Sequence, residues 1–354
     1  MDEAPTSEQE ANDETGRRRA PTIVDVANAA GVAIGTVSRF INGQPVRASN
    51  REQIEAAINR LGYQRNALAA AMKRDVTNVI GFMLPSLSEF HGAVLQYVSR
   101  KMRAQGRAVL SFFHDVDSRS VAEGLEFFAA QRVDCLVIDG LESEAARIRS
   151  VVERQIPVVL YDNDIPGVVV DRVYSNNRDA SRRATSHLLD IGHERIGIVT
   201  GHTRDYTARE RLAGYIDALK ERDIQIDEDL IVSGQWSEQG GHQAMRQILA
   251  LDHPPTAVFS CNYNMTVGSL ALFREIGLRL PDDLSLISFD DVPLFRLHET
   301  GITAIAQPTE LIADSIVGLL LTRLDNRTSH APYSTLLLDC DIILRGSTRR
   351  PRIS

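Results

Sequence analysis

The sequence is short of the features that mark a disulfide scaffold, a metal centre, a membrane protein or a common class of hydrolase. Its 354 residues include three cysteines, Cys135, Cys261 and Cys340, an odd number scattered too widely for a disulfide framework or a zinc motif. They read as reduced fillers; Cys135, inside the apolar run VDCLVID, fits the role of a small buried hydrophobe. Aromatic residues are few, at 6%, with a single tryptophan, Trp236. No stretch approaches the roughly 18 uncharged apolar residues of a spanning helix. The first 20 residues lack the apolar middle of a signal peptide. The expectation is a cytoplasmic chain with no membrane partner. Neither GxSxG, HExxH, a P-loop nor a Rossmann glycine fingerprint is present, and the nine histidines show no paired metal spacing. The chain is therefore expected to be no enzyme and to need no cofactor or metal, with His91, His187, His193 and His202 read as solvated or structural.

What is present is an ordinary globular composition, 43% apolar and 24% charged, at a length that allows two or three domains. Charge is divided unevenly. The net −8 breaks down into −6 over residues 1–16, +7 over residues 17–74 and −9 over the remainder. A small basic head on a large acidic body is the pattern of a DNA-binding module joined to something else. Residues 1–20 are expected to be a disordered tail.

Within the head, Thr22 and Asp25 have the spacing of a capping box, and Ile23, Val26, Ala27 and Ala30 repeat at helical intervals. Gly31 suits a sharp reversal and Val32 can plug the joint. A second helix runs through IGTVSRF with Val37 and Phe40 or Ile41 facing inward. Ser49 and Glu52 read as another capping box, opening a third helix with Ile54, Ala57, Ile58 and Leu61 as its apolar stripe. The outer face of the second helix is left with Ile34, Gly35, Thr36, Ser38, Arg39 and Asn42, placed to meet base edges and phosphates in a major groove. A helical cap without a DNA role is the alternative.

From residue 78 onward, short apolar runs alternate with amphipathic stretches. NVIGFML, RAVLSFF, VDCLVID and PVVLY read as strands, with helices near 93–105, 119–131 and 143–154. RIGIVT, TAVFS and LSLISF form a second series, with helices near 178–191, 207–222, 238–250 and 264–276. Such alternation means parallel βαβ units, and two series imply two lobes. Ligands of doubly wound folds bind beyond the carboxyl ends of the strands, so two facing lobes create a cleft.

The segments TIVDVANAAGV, GTVSRFING and EQIEAAINRLGYQRNALA closely resemble the head of the LacI/GalR family of bacterial transcription regulators. The likeness continues through HLLDIGHERIGIVTG, ARERLAGY, PTAVFSCN, GLRLPDDLSLISFDD and ILRGST, nearly to the end of the chain. It implies a small all-α helix-turn-helix head plus an α/β body of two doubly wound lobes, like periplasmic binding proteins. The implied divisions are a head at 21–64, a hinge helix and linker at 65–77, and an effector-binding and dimerisation body at 78–354. Chain crossings between the lobes are expected near 176–178, 305–307 and 335.

The resemblance also assigns residues. Thr22 joins the outer face of the second helix in contacting DNA, as do Arg65, Asn66 and Ala69 of the hinge, and Met72 stands where the family places an apolar minor-groove wedge. Ala33 replaces the usual serine cap of the recognition helix, Arg65 replaces a proline, and Met72 replaces leucine. Effector contacts fall to Phe90, His91, Asp162, Arg211, Trp236, Asn262 and Asp290. Arg211 matches the arginine that reaches the ligand, a guanidinium able to fork onto vicinal hydroxyls or a carboxylate; a surface arginine at a helix start is the alternative. Asp290 is a hydroxyl acceptor or a turn residue, and Trp236 a platform for a sugar face or a core residue. Asp162, ending PVVLY, is a first-lobe candidate. Tyr263 occupies an aspartate position of the family, and the loop SLSEFHG, with Glu89, Phe90, His91 and Gly92, departs from it most.

The implied function is that of a repressor, sequence-specific for double-stranded, pseudo-palindromic operator DNA and controlled by a sugar-like small molecule. Only six residues follow Thr348, too few for a heptad tail, so a homodimer is expected. The competing readings, a transport-type sugar-binding protein and an enzyme, lack a signal peptide and a catalytic motif respectively.

Overall fold

The computed structural model describes residues 21–41, 43–63, 76–85, 87–115, 118–140, 142–325 and 332–352. The chain forms two compact units, one ending at Thr77 and the other beginning at Asn78.

Among the described residues three helices make the first unit: α1 (Ile23–Ala30), α2 (Ile34–Ile41) and α3 (Ala48–Leu61). The capping box at the start of α1 is formed in both directions, Thr22 Oγ1 accepting from the Asp25 amide at 3.3 Å and Asp25 accepting from the Thr22 amide at 2.7 Å. Gly31 closes α1 at φ 63°, a left-handed conformation that a side chain would resist. The core gathers Val26, Ala27, Ala30, Val37, Ile54 and Ala57, with Val32, Phe40 and Ile41 packed partly against it. The second capping box is a correction. Helix α3 begins at Ala48, one residue before Ser49, and its N-cap is Arg47, which makes no side-chain cap bond. The Arg51 amide already reaches the Arg47 carbonyl at 3.0 Å, so Ser49 sits inside the first turn and cannot cap it.

The second unit holds two sheets. The first lobe contributes β1 (Val79–Leu84), α4 (Glu89–Ala104), β2 (Ala108–Phe113), α5 (Ser118–Ala130), β3 (Cys135–Ile138), α6 (Ala145–Glu153), β4 (Val158–Tyr161) and β5 (Asp171–Ser175). The second lobe contributes α7 (Asn177–Asp190), β6 (Ile196–Thr200), α8 (Tyr206–Lys220), β7 (Ile231–Ser233), α9 (Glu238–Leu249), β8 (Ala257–Ser260), α10 (Tyr263–Ile276), β9 (Ser285–Phe289) and β10 (Thr303–Ala306). The chain then returns to the first lobe for α11 (Thr309–Asp325) and β11 (Thr335–Leu338), and ends in the second with β12 (Asp341–Ile343). The sheet orders are β11-β5-β4-β3-β1-β2 and β12-β10-β9-β8-β6-β7. All pairings are parallel except β10 with β12. Strands β3, β4, β6, β8 and β9 are buried along their whole length, which is why they read as unbroken apolar runs.

Two crossings fall where the sequence places them, between Ser175 and Asn177 and between Ala306 and Thr309. The third is a correction: β11 still belongs to the first sheet through Leu338, and the chain changes lobe at Asp339 and Cys340 instead of near 335. The segment SLSEFHG is also not a loop throughout. Helix α4 starts at Glu89, capped by Ser88 Oγ, which accepts from the His91 amide at 3.2 Å. Strands β5, β7, β10, β11 and β12 and helix α11 are additions to the sequence reading. Five residues or fewer give each of those strands little pattern, and β5 begins with Asp171, whose buried carboxylate is clamped by Arg323 at 2.7 and 3.0 Å. Among the described residues no single helix is long and apolar enough to cross a membrane.

Candidate functional site

In the first unit, burying Val37 on the inner side of α2 turns Ile34, Gly35 and Arg39 outward, with Ile34 49% exposed, while Thr36 and Ser38 lie half-buried at the margins. An apolar side chain that exposed on a packed helix is free to meet an apolar partner such as a thymine methyl. Thr22 lies at the N-terminus of α1 with its hydroxyl committed to Asp25 at 2.7 Å. The other proposed DNA contacts, Asn42, Arg65, Asn66, Ala69 and Met72, lie outside the described residues.

In the second unit, the carboxyl ends of strands from both sheets face a cavity of about 270 Å³. Pro85 follows β1, His114 follows β2, Asp139 follows β3 and Asp162 follows β4. From the other lobe, Asn262 follows β8, Asp290 follows β9 and Gln307 follows β10. All seven residues proposed for the effector, Phe90, His91, Asp162, Arg211, Trp236, Asn262 and Asp290, line this one space.

Arg211 is no surface residue; it is 3% exposed on α8. Its guanidinium carbon lies 3.5 Å from the Phe289 ring centre and 5.6 Å from that of Trp236. Its Nε donates to Asn177 Oδ1 at 2.8 Å and its Nη1 to the Cys261 carbonyl. Two aromatic faces and two acceptors fix the head group in one orientation. Trp236 lines the cleft and also packs against the apolar core of the second lobe: it is half-buried at φ 60°, and its Nε1 donates to Asp205 Oδ2 at 2.6 Å. It lies so close over Gly201 that a Cβ there would fall on ring atoms Cε2 and Cζ2.

Asn262 caps α10, accepting from the Met265 amide at 2.9 Å, so much of its side chain serves the fold. Asp290, at φ 72°, accepts from Gln307 Nε2 at 2.7 Å and from the Tyr263 amide at 3.3 Å. Gln307 in turn accepts the Ser175 hydroxyl at 2.6 Å, which ties a second-lobe carboxylate to a first-lobe strand. Tyr263 lines the cavity from the family's aspartate position; Glu89 does not line it.

The first-lobe wall is where the sequence reading was incomplete. His91 Nδ1 lies 3.0 Å from Tyr161 Oη, and its Nε2 lies 3.6 Å from Asp139 Oδ2. Burial, with help from His114 and Arg211, pushes the His91 pKa down to about 3, so the ring is neutral at pH 7. Burial and the neighbouring Asp162 push the Asp139 carboxyl well above the usual range. Asp162 rises to about 6, chiefly through burial and only partly countered by Arg211. Asp139 and Asn163 were not singled out in the sequence, although VDCLVID and PVVLYDND put them at strand ends, the position that marked Asp162 and Asp290. His193, by contrast, is structural, its ring nitrogens meeting Thr256 Oγ1 at 2.7 Å and the Arg349 carbonyl at 2.9 Å.

A helical head with an exposed recognition face, and a separate two-lobed body with a polar cleft at its strand ends, define a DNA-binding regulator that carries a ligand-binding module. Comparison with known proteins agrees. Residues 22–66 match the family "Bacterial regulatory proteins, lacI family" and residues 185–348 match "Periplasmic binding protein-like domain". The HTH-type transcriptional repressor PurR of Haemophilus influenzae is 30% identical over 332 residues, 93% of this chain and 98% of that one. Among solved structures, the lac repressor dimer bound to operator and the anti-inducer ONPF superposes with a TM-score of 0.85 at 26% identity, covering 94% of this chain and all of that one. The complex of the transcriptional regulator CelR with cellobiose gives 0.70 at 27% identity over 93% of this chain and 100% of that one. The chain belongs to the LacI family: it is an effector-controlled, DNA-binding transcriptional regulator and not an enzyme.

Proposed function

We propose that this regulator is a homodimeric repressor of the cytoplasm, each head reading one half of a pseudo-palindromic operator, and that its effector is a sugar or sugar derivative held between the lobes. Phe90, His91, Asp162, Arg211, Trp236, Asn262 and Asp290 are its contacts. The carrying observation is the placement of Arg211, buried and held in the cleft by Phe289, Trp236, Asn177 and the Cys261 carbonyl. Such a fixed guanidinium can fork onto two hydroxyls, while Trp236 and Phe90 offer apolar faces to ring C–H groups. The lac repressor dimer on operator and the CelR complex with cellobiose support the dimer and the sugar. The break in packing at Thr77 and Asn78 supports a body from residue 78, preceded in this reading by a head at 21–64 and a hinge helix and linker at 65–77. In the head, Thr22, Ile34, Gly35, Thr36, Ser38 and Arg39 are the described candidates for DNA contact.

Control follows from thermodynamic linkage. A ligand that closes the cleft shifts operator affinity only by its differential binding to two lobe arrangements, typically 1–3 kcal/mol of coupling. The test is Arg211→Ala in operator-binding titrations with and without sugars. Loss of the ligand response with unliganded operator affinity within about a few-fold of wild type is expected, because the change removes a charge-assisted fork and leaves the head intact. Loss of unliganded operator binding would assign Arg211 to folding alone and overturn the reading.

A further inference from the structure

Three acceptor atoms converge on the first-lobe wall of the cleft. His91, Asp139 and Asp162 each present one ligand atom within 4.8 Å of the other two. Asp139 is 2% exposed, and its Oδ2, like Asp162 Oδ1, is buried without a hydrogen-bond partner. A buried carboxylate oxygen left unpaired is costly, and native structures rarely keep two together without a ligand, an ion or ordered water to satisfy them. His91 adds a third acceptor. His91 Nδ1 lies 3.0 Å from Tyr161 Oη, and in the tautomer that carries the ring proton on Nδ1 the Nε2 lone pair faces the carboxylates.

Resting on the reading of this cleft as a sugar-type effector site, we propose that the effector carries a primary ammonium group seated on His91 Nε2, Asp139 Oδ2 and Asp162 Oδ1, as in an amino sugar. An ammonium has three N–H donors to match three acceptors. Acceptors placed about 2.8 Å from a tetrahedral nitrogen lie roughly 4.6 Å apart; the three here lie within 4.8 Å of one another, with Nε2 and Asp139 Oδ2 at 3.6 Å, so seating the ammonium spreads that pair by about 1 Å. A sugar hydroxyl has a single O–H donor and would leave two of the three acceptors unserved. The wider electrostatics agree: among the described lining residues four carboxylates, Asp139, Asp162, Asp205 and Asp290, face one guanidinium, that of Arg211. A phosphorylated or carboxylated sugar would meet this field unfavourably, and a cation favourably. Phe90 on the first lobe and Trp236 on the second are then left to cover the ring that bears the amine.

The test uses the full chain and matched probes, glucosamine with glucose, galactosamine with galactose, and mannosamine with mannose, titrated by calorimetry at pH 7.5. At least one amino sugar is expected to bind about tenfold or more tightly than its neutral partner. N-acetylation of that amine should erase the gain, as should Asp139→Asn and, independently of any folding defect in that variant, Asp162→Asn. If the neutral sugars bind as tightly as the amino sugars, the ammonium assignment falls while the sugar reading of the cleft stands; if neither set binds, both fall. A melting temperature raised by Mg²⁺, Mn²⁺ or Zn²⁺ in the wild type but not in Asp139→Asn gives the cluster to a metal ion and overturns the proposal.

Discussion

Asn163 of the first lobe accepts the hydroxyl of Thr207, in the first turn of α8 in the second, at 2.6 Å. The same amide donates Nδ2 to Asp139 Oδ1 at 2.9 Å, so one side chain joins the two lobes and steadies the wall of the cleft. Asn163→Ala is expected to cost roughly 1–3 kcal/mol, since it strips partners from a buried carboxylate and a hydroxyl. The lobes should open, which small-angle scattering would show as a larger radius of the unliganded body. An unchanged radius and an unchanged ligand response would remove Asn163 from the closing device.

Gly201→Ala tests the indole platform. The added methyl occupies the place of the Trp236 ring, whose Nε1 bond to Asp205 at 2.6 Å must then break. Overpacking of this kind costs about 1–3 kcal/mol. Trp236 is the only tryptophan, so its fluorescence reports the displacement directly. Emission should shift and ligand affinity fall together; wild-type emission with wild-type affinity would show that the ring never needed this seat.

Asp162 makes the empty body sensitive to pH. Its carboxyl titrates near 6 in the folded protein against an ordinary value of 3.8, so the fold holds this proton more tightly than the unfolded chain does. The resulting stabilisation is complete below about pH 4 and is lost as pH rises through about 6. Asp139 shifts in the same direction, while His91, lowered to about 3, acts in the opposite sense and costs stability only as pH falls below its ordinary 6.5. Asp162→Asn should therefore melt about 2–4 °C above wild type at pH 7.5, with the gap closing toward pH 4. A gap that is constant with pH would exclude the buried charge as its cause.

Thr22→Ala removes both hydrogen bonds of the Thr22 hydroxyl, keeps the one from the Thr22 amide to Asp25, and is expected to destabilise the head by about 1 kcal/mol. Thr22→Ser, which keeps the hydroxyl, should restore it. Hydrogen exchange of the α1 amides reads the effect locally. Equal protection in Thr22→Ala and wild type would mean that helix packing, not the cap, holds this end.

The sequence by itself determined the parts of this protein that depend on local pattern. Alternating apolar runs produce strands whichever sheet receives them, a Thr22–Asp25 pair caps a helix within its own first turn, and Gly31 reverses the chain because it lacks a side chain. The recognition face of α2 is likewise implied once Val37 is known to be buried. The seven candidate effector contacts were legible from family-like segments and from strand ends, and all line one cavity. Tertiary structure alone decided which strand ends converge. Asp139 and Asp162 sit at the ends of adjacent strands, β3 and β4, and approach His91 on α4 only because parallel pairing brings those ends to one edge. Ser49 shows the converse limit, a correct local motif overridden by a helix that starts one residue earlier. Burial shifts the ionisation of His91, Asp139 and Asp162, and the groups that hold the Arg211 guanidinium, Phe289, Trp236, Asn177 and the Cys261 carbonyl, gather around it from separate elements. No local pattern carries these facts, because each depends on groups distant in sequence that meet only after the lobes have formed.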